Sequence, residues 1–545
     1  MTSPTSSAPA GHLCLVLHAH LPFVRHPEHE EFLEEDWLFE AITETYIPLL
    51  QLFERLDREG VDFRLTMSLT PSLIEMLGDP LLRRRYTRHL GKLCELAEKE
   101  VGRTRHLPEF SDTAQMYLER FTKARYDYSK RWHGDLVGAF ARLQKAGRLE
   151  IITCAATHGY LPLLRLNPTA VRAQLAVAVE HYAQTFGRAP RGIWLPECGF
   201  YPGLDEVLKD FGLRFFFLDS HGLERAASRP QFGVHAPVFC PGGVAAFGRD
   251  PASSQQVWSA EQGYPGDADY REFYRDIGFD LELDYLRPYI HRDGLRINTG
   301  IKYHRITGRT EAKAPYVRAA ALAKAAEHAA HFVASRQRQA AELRQRLGRA
   351  PVIVAPYDAE LFGHWWFEGP EWLEAVLRAL AAQPQVWLAT PADYLAAQPV
   401  HQLAMPAASS WGWKGHSEIW LNRQTDWIYP HLHHNAGRMC ALARQFPAAR
   451  GLKRRALNQA ARELLLAQAS DWAFIISRGT FTHYAAQRTR GHLLAFNELH
   501  DALLLGRLDA ARLAALEQQD NIFPQLDYRV YAPHKKRKHH ERQPS

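Results

Sequence analysis

The sequence predicts an α/β protein, a parallel barrel followed by an all-helical domain, and three observations lead there. Short, β-rich apolar runs recur through the first 360 residues, long helical or irregular segments separate them, and after about Pro406 the texture changes to repeated helical patterns. The 545-residue chain is 46% hydrophobic and 23% charged, enough to bury a large core, which excludes disorder, a collagen-like fibre and a small disulfide scaffold.

The apolar runs are Leu13–Leu17, Phe63–Ser68, Leu149–Cys154, Gly192–Leu195, Arg214–Leu218, Val244–Phe247 and Pro351–Ala355. Buried on both faces and spaced by helices, they read as parallel barrel strands rather than a sandwich. The charged stretch from Asp79 to Trp132 is too long for a simple strand-to-helix connection and reads as a helical insertion. Between Val317 and Leu347, Ala-rich sequence with regular Arg, Glu and Gln reads as one long amphipathic helix leading into the last strand. A Trp- and Gly-rich stretch, Ser409 to Asn422, precedes helical patterns at Arg454–Ala469 and Gly491–Leu505. The expected divisions are a disordered segment 1–12, a barrel 13–405 with an insertion near 79–132, a helical domain 406–530 contributing to the cleft, and a basic tail 531–545.

Lys535, Lys536, Arg537, Lys538 and Arg542 against Glu541 carry four of the six net positive charges, so the body is close to neutral and gives no case for nucleic-acid binding. Residues 1–12 lack the basic and apolar regions of a secretory leader. No run approaches the roughly 18–20 apolar residues a membrane helix needs, and a cytoplasmic location is expected. Six scattered cysteines without a CxxC pair suit reduced thiols. Aromatics reach 11%, with 13 Trp and 21 Tyr, compatible with a surface that stacks on ring-shaped ligands.

In parallel barrels the carboxyl ends of the strands face the active site. His18 and His20 follow the first run on one side of the chain, and His158 follows the third. Glu197 follows the fourth, Asp219 and His221 the fifth, and Asp358 the last. Each has a blander reading. A carboxylate after a strand is often the N-cap of the next helix, strand-end histidines are more often structural than metal-binding, and Cys198 beside Glu197 has no basic partner at a spacing that implies a thiol nucleophile. Their convergence on one rim favours chemistry. Two carboxylates with abundant aromatics fit glycoside chemistry, in which one attacks the anomeric carbon and the other protonates the leaving oxygen. Trp365, Trp366, Trp411, Trp413 and Trp420 are candidates for stacking on sugars, against core packing for any single one.

The segments His18-Ala-His-Leu-Pro22, Ala156-Thr-His-Gly-Tyr-Leu-Pro162, Trp194-Leu-Pro-Glu-Cys-Gly-Phe-Tyr-Pro202, Ala355-Pro-Tyr-Asp-Ala-Glu-Leu-Phe-Gly-His-Trp-Trp366 and Ser410-Trp-Gly412 resemble, in order, the five sequence regions of glycoside hydrolase family 57, most of all its α-1,4-glucan branching enzymes. The resemblance implies a distorted (β/α)7 barrel with a helical insertion and a helical C-terminal domain that closes over the rim. It implies no metal and no organic cofactor, and an α-1,4-glucan as partner; a monomer is favoured. Carried over by motif, Glu197 is the nucleophile and Asp358 the general acid/base. His18, His20 and His158 line the donor sugar site, Trp411 and Trp420 the glucan groove, and Asp471 lies in a region facing the cleft. Asp219, His221, Arg249 and Phe279 complete the substrate-binding candidates, Phe279 standing at what resembles a tryptophan position of the family.

One departure bears on the reaction. The branching enzymes carry a tyrosine on a loop over the site, whereas here no tyrosine occurs between Tyr201 and Tyr264. Phe232, His235 or Phe239 would take its place, and a larger hydrolytic share is expected. The alternatives to branching are an amylase-like hydrolase on the same site, a metal-dependent sugar deacetylase-like enzyme using His18, His20 and Asp219, and a silent glucan-binding protein.

Overall fold

The computed structural model describes residues 9–259 and 263–533. Residues 1–8 of the expected disordered segment and 534–545 of the expected tail lie outside the described residues. Two boundaries differ from expectation. The first strand already begins at Gly11, where a Cβ would meet Ala340 at 2.9 Å, and His12 N–H donates to Pro351 O at 2.8 Å. Tyr531 is buried, so the ordered chain runs into the expected tail.

The chain divides into two units. One comprises the chain up to Cys154 together with Tyr182–Trp411, the other Ala155–His181 together with the chain from Gly412 on. Residues 406–411 therefore belong with the barrel: Phe200 N–H donates to Ser409 O at 2.9 Å and Ser409 N–H to Phe200 O at 3.1 Å. Residues 155–181 belong with the helices because Gln174 Nε2 donates to Thr157 Oγ1 at 2.9 Å and to Gln468 Oε1 at 3.0 Å.

In the first unit the strands are β1 (Gly11–Ala19), β2 (Leu65–Leu69), β3 (Leu149–Ile152), β4 (Gly192–Ile193), β5 (Phe215–Leu218), β6 (Val238–Phe239), β7 (Ala245–Gly248), β8 (Val352–Asp358) and β9 (Val386–Leu388). They form two sheets, β3-β2-β1-β8 with β9 beside β1, and β4-β5-β7-β6. Two seams close them into a ring of seven parallel strands. Thr153 bridges Ile193 in parallel, joining β3 to β4, and Asp250 N–H donates to Val354 O at 2.8 Å, joining β7 to β8. All seven expected runs lie in this ring. Inside it pack Cys14, Val16, Ile152, Cys154, Trp194, Phe215, Phe217, Phe247, Val352 and Val354, all buried, a filled core of the kind such barrels have.

Helices Pro80–Thr104 and Pro108–Tyr126 occupy the segment after β2, and Asp79 caps the first by accepting from Leu81 and Leu82 N–H. The long helix Arg318–Leu347 precedes β8 and ends on Gly348 at φ 68°.

The second unit holds helices Ile428–Gln445, Gly451–Ala467, Ser470–Arg478, Thr482–Leu505 and Ala510–Gln519. A buried polar network ties three of its segments. His492 Nδ1 lies 2.8 Å from Glu463 Oε2, and Arg488 Nη2 lies 3.4 Å from Asp520 Oδ1. Arg488 offsets one of two buried carboxylates that would otherwise be costly.

Candidate active site

The carboxyl ends of β1, β4, β5, β7 and β8 bring the barrel's chemistry together. β8 pairs with β1 so that Asp358 stands opposite His18, and β1 pairs with β2 so that His18 stands opposite Ser68. His18 Nδ1 lies 3.2 Å from Ser68 Oγ, and its ring stacks on Trp194 at 4.7 Å and 18°. Burial, then the nearby His20, push His18 well below the ordinary imidazole range, so it is neutral at pH 7. His20 Nδ1 lies 3.0 Å from Thr70 Oγ1, with its ring 5.8 Å from that of His18.

Glu197 sits on a 3-10 turn just after β4 in the left-handed region, φ 60° and ψ 24°, and Cys198 follows at φ 51°. Two non-glycine residues in this region store backbone strain of about 1–3 kcal/mol each. Trp411 holds the turn twice: its N–H donates to Glu197 O at 2.9 Å, and its Nε1–H to Glu197 Oε2 at 2.8 Å. The indole packs edge-on against Trp194 at 5.0 Å. One carboxylate oxygen of Glu197 is thus aimed by the Trp411 indole.

Asp358 ends β8 and precedes the turn Ala359–Leu361, yet its side chain caps no backbone N–H. The N-cap reading therefore fails for it. Its carboxyl is pushed well above the ordinary range by burial first, then by the charges of Glu360 and Glu197, with Arg249 opposing. A carboxyl held protonated beside one held by an indole N–H is the arrangement that lets two carboxylates play different parts.

Asp219 and Arg249 supply the counter-charge. Asp219 accepts from Arg249 Nη1 at 3.3 Å and lies 3.2 Å from His221 Nδ1, and Arg249 Nε donates to Ser254 Oγ at 2.6 Å. Burial would raise the Asp219 pKa, but the His221 hydrogen bond and the Arg249 charge outweigh it and hold Asp219 below the ordinary range. The Arg249 guanidinium lies 5.9 Å from the Trp411 ring centroid.

The description Glycosyl hydrolase family 57 matches residues 14–347, and 1,4-alpha-glucan branching enzyme, C-terminal, matches residues 431–531. The chain belongs to glycosyl hydrolase family 57. It is 36% identical, over 94% of its length and 77% of the relative's, to the 1,4-alpha-glucan branching enzyme of Thermococcus kodakarensis. The structure is similar to that of a GH57-type branching enzyme from Pyrococcus horikoshii, with a TM-score of 0.87 and 34% identity over 96% of this chain and 97% of that one. It is also similar to a structure described as the novel alpha-amylase AmyC from Thermotoga maritima, with a TM-score of 0.91 and 46% identity over 96% and 99%. The fold of these family 57 proteins, the distorted (β/α)7 barrel, is that of the first unit.

Within the family 57 barrel the structure gathers Glu197, Asp358, His18, His20, Asp219, His221, Arg249 and Trp411 through the pairings above. Phe279 lies on the turn Ile277–Asp280 and is 54% exposed. In the second unit His158, at φ 56°, has Nδ1 2.8 Å from Ser470 Oγ, and one of its ring nitrogens lies within 4.8 Å of an Asp471 carboxylate oxygen.

Four expectations are corrected. Trp420 is only 1% exposed and stacks against Tyr160 at 4.4 Å, so its face is taken up in packing rather than open to a sugar. Trp366 is buried likewise. Phe232, His235 and Phe239 do not cover the site. Phe232 lies under Arg349, just before the amino end of β8, His235 faces Asp250 at 3.9 Å, and Phe239 packs on His401 within β6. Finally, His18, His20 and Asp219 do not form a three-ligand group among the described residues, because Asp219 is turned to Arg249 and His221. Cys198 is buried and its thiol is pushed well above the ordinary range, chiefly by burial, which removes it as a nucleophile.

Sequence reasoning missed Glu360 and Tyr46. Tyr46 Oη donates to Glu360 Oε1 at 2.5 Å, and His20 N–H donates to the same oxygen at 3.2 Å. Burial raises Glu360 to about 7. Tyr46 ends the π-helical turn Ile42–Tyr46, a device frequent at functional sites. The same turn carries Glu44, whose Oε2 lies 2.6 Å from His364 Nδ1. Gly363, at φ 106°, is required there, since a Cβ would come within 1.8 Å of Glu44 O. The one available signal was Glu360's place two residues after Asp358.

Proposed function

We propose that this chain is a 1,4-α-glucan branching enzyme, which cleaves an α-1,4 bond and rejoins the released segment at a 6-hydroxyl with retention. The observation that carries the reading is the branching-enzyme C-terminal match over residues 431–531 on a family 57 barrel. Glu197, fixed by Trp411, attacks the anomeric carbon. Asp358, held protonated, gives its proton to the leaving oxygen, and as a carboxylate then takes the proton of the acceptor hydroxyl. His18, neutral, and His20 line the donor sugar site as hydrogen-bonding groups, and Arg249 with Asp219 and His221 binds and orients sugar hydroxyls. Trp411 stacks in the groove; His158, Asp471 and Phe279 serve substrate contacts. The two carboxylates supply the chemistry without a cofactor, and both come from one chain, so a monomer suffices. The setting is glycogen synthesis in the cytoplasm, which suits six cysteines that form no disulfide; no helix among the described residues is long and apolar enough to cross a membrane.

A second reading, amylase-like hydrolysis, is favoured by two observations: the absence of a tyrosine between Tyr201 and Tyr264, and the 46% identity to a structure described as an alpha-amylase. Incubation with amylose decides between them. Loss of iodine colour with few new reducing ends marks branching; reducing ends rising in step with colour loss mark hydrolysis and overturn the first reading.

A further inference from the structure

The loop after Asp358 carries two adjacent tryptophans with opposite fates. Trp366 is 2% exposed, whereas Trp365 is 53% exposed. Trp365 is nevertheless held firmly. Its ring stacks on Phe273 at 4.4 Å and 26°, His364 abuts it edge-on at 5.2 Å, and its N–H donates to Glu360 O at 3.2 Å. Beneath Phe273, Lys302 Nζ lies 4.3 Å from the ring centroid and donates to Phe273 O at 2.6 Å. Tyr274, 82% exposed, stands edge-on to Phe273 at 5.1 Å. The Phe273 ring thus meets a buried ammonium and an exposed indole.

We propose that Trp365 on Phe273, flanked by Tyr274, is a glucan-binding platform outside the catalytic pocket, taking the apolar face of pyranose units in a long α-glucan chain. Leaving a large apolar ring in water is unfavourable, and building a rigid mount for it lowers the entropy cost of binding, which is what a pre-formed recognition surface requires. The occupant follows from continuity with the catalytic strand. Trp365 lies seven positions after Asp358, so the two lie within about 25 Å of each other. A polymer engaged at Asp358 can rest its further units there, and a short oligosaccharide need not. The platform deepens the proposed glucan reading and rests on it.

The test is affinity electrophoresis in gels containing soluble amylose, with turnover of a short chromogenic maltooligoside measured in parallel. Trp365→Ala raises the amylose dissociation constant about tenfold, equivalent to about 1.4 kcal/mol. Trp365→Phe retains most of the affinity, Tyr274→Ala weakens it partly, and turnover of the short substrate stays at the wild-type value. Unaltered circular dichroism of Trp365→Ala establishes that the variant is folded. Unchanged amylose affinity in a folded Trp365→Ala overturns the platform, as does a light-scattering mass showing that the substitution instead breaks a dimer. If the wild type is retarded through Trp365 yet forms no product from amylose, the platform stands and the branching reading fails. If it forms branched product and Trp365→Ala binds equally well, only the platform fails.

Discussion

Tyr46 hydrogen-bonds to Glu360 at 2.5 Å, reaching from a π-helical turn near the amino end of the chain to a carboxyl two residues beyond Asp358. A third acid therefore faces the pair proposed for catalysis. Glu360 titrates at about 7, and its anion is the first-ranking charge that keeps Asp358 protonated. As pH rises through 7, Glu360 ionises and Asp358 holds its proton further up. Glu360→Gln removes that charge, so the alkaline limb of kcat/KM moves to lower pH while the fold persists. An unmoved limb shows that Glu360 serves the loop alone.

Glu197 has one indole donor on Oε2, at 2.8 Å. A hydrogen bond to a charged group contributes about 1.5–3 kcal/mol, so Trp411→Phe lowers kcat roughly 10- to 150-fold. Glu197→Gln loses far more, several orders of magnitude, and a mechanism-based glycosyl inhibitor labels the native residue. Near-native turnover of Glu197→Gln in steady-state assays removes it from the mechanism.

Asp358→Asn is expected to keep activity on substrates whose leaving group needs no proton and to lose it on glucan. Equal loss on both substrate classes points to a structural part in the β8 turn.

Because Phe232, His235 and Phe239 pack away from the catalytic rim, placing tyrosine at any of them leaves the ratio of transfer to hydrolysis unchanged. The native enzyme gives more reducing ends per branch than a relative bearing the loop tyrosine. Counting reducing ends before and after debranching measures both.

Gly363→Ala forces a Cβ to within 1.8 Å of the Glu44 carbonyl at φ 106°. The change destabilises by about 3 kcal/mol or more, read as a lower melting temperature, and glucan activity falls with it because the turn joins Glu44 to the catalytic loop.

The seven barrel strands were legible because each is a short run buried on both faces, a pattern that needs no partner to be recognised. The two-residue β6 and the edge strand β9, with Trp387 at 42% exposure, carry no such pattern. Glu197 and Asp358 were visible because they follow strands directly. Tyr46 was hidden, since a π-helical turn has no sequence period of its own and its contact spans 314 residues. Trp420 misled for the opposite reason: a motif names the residue but not which side of the ring Tyr160 covers.

The consecutive left-handed residues at 197 and 198 set stability against activity. A glycine at 197 would relax the turn at once, so the carboxylate proposed as nucleophile sits where the backbone would favour no side chain. Relief of that strain is set against loss of the Trp411 indole hydrogen bond, so Glu197→Gly should cost far less stability than activity. The side chain at 197 is thus held against the preference of its own backbone, and the Trp411 indole is what it gains in return.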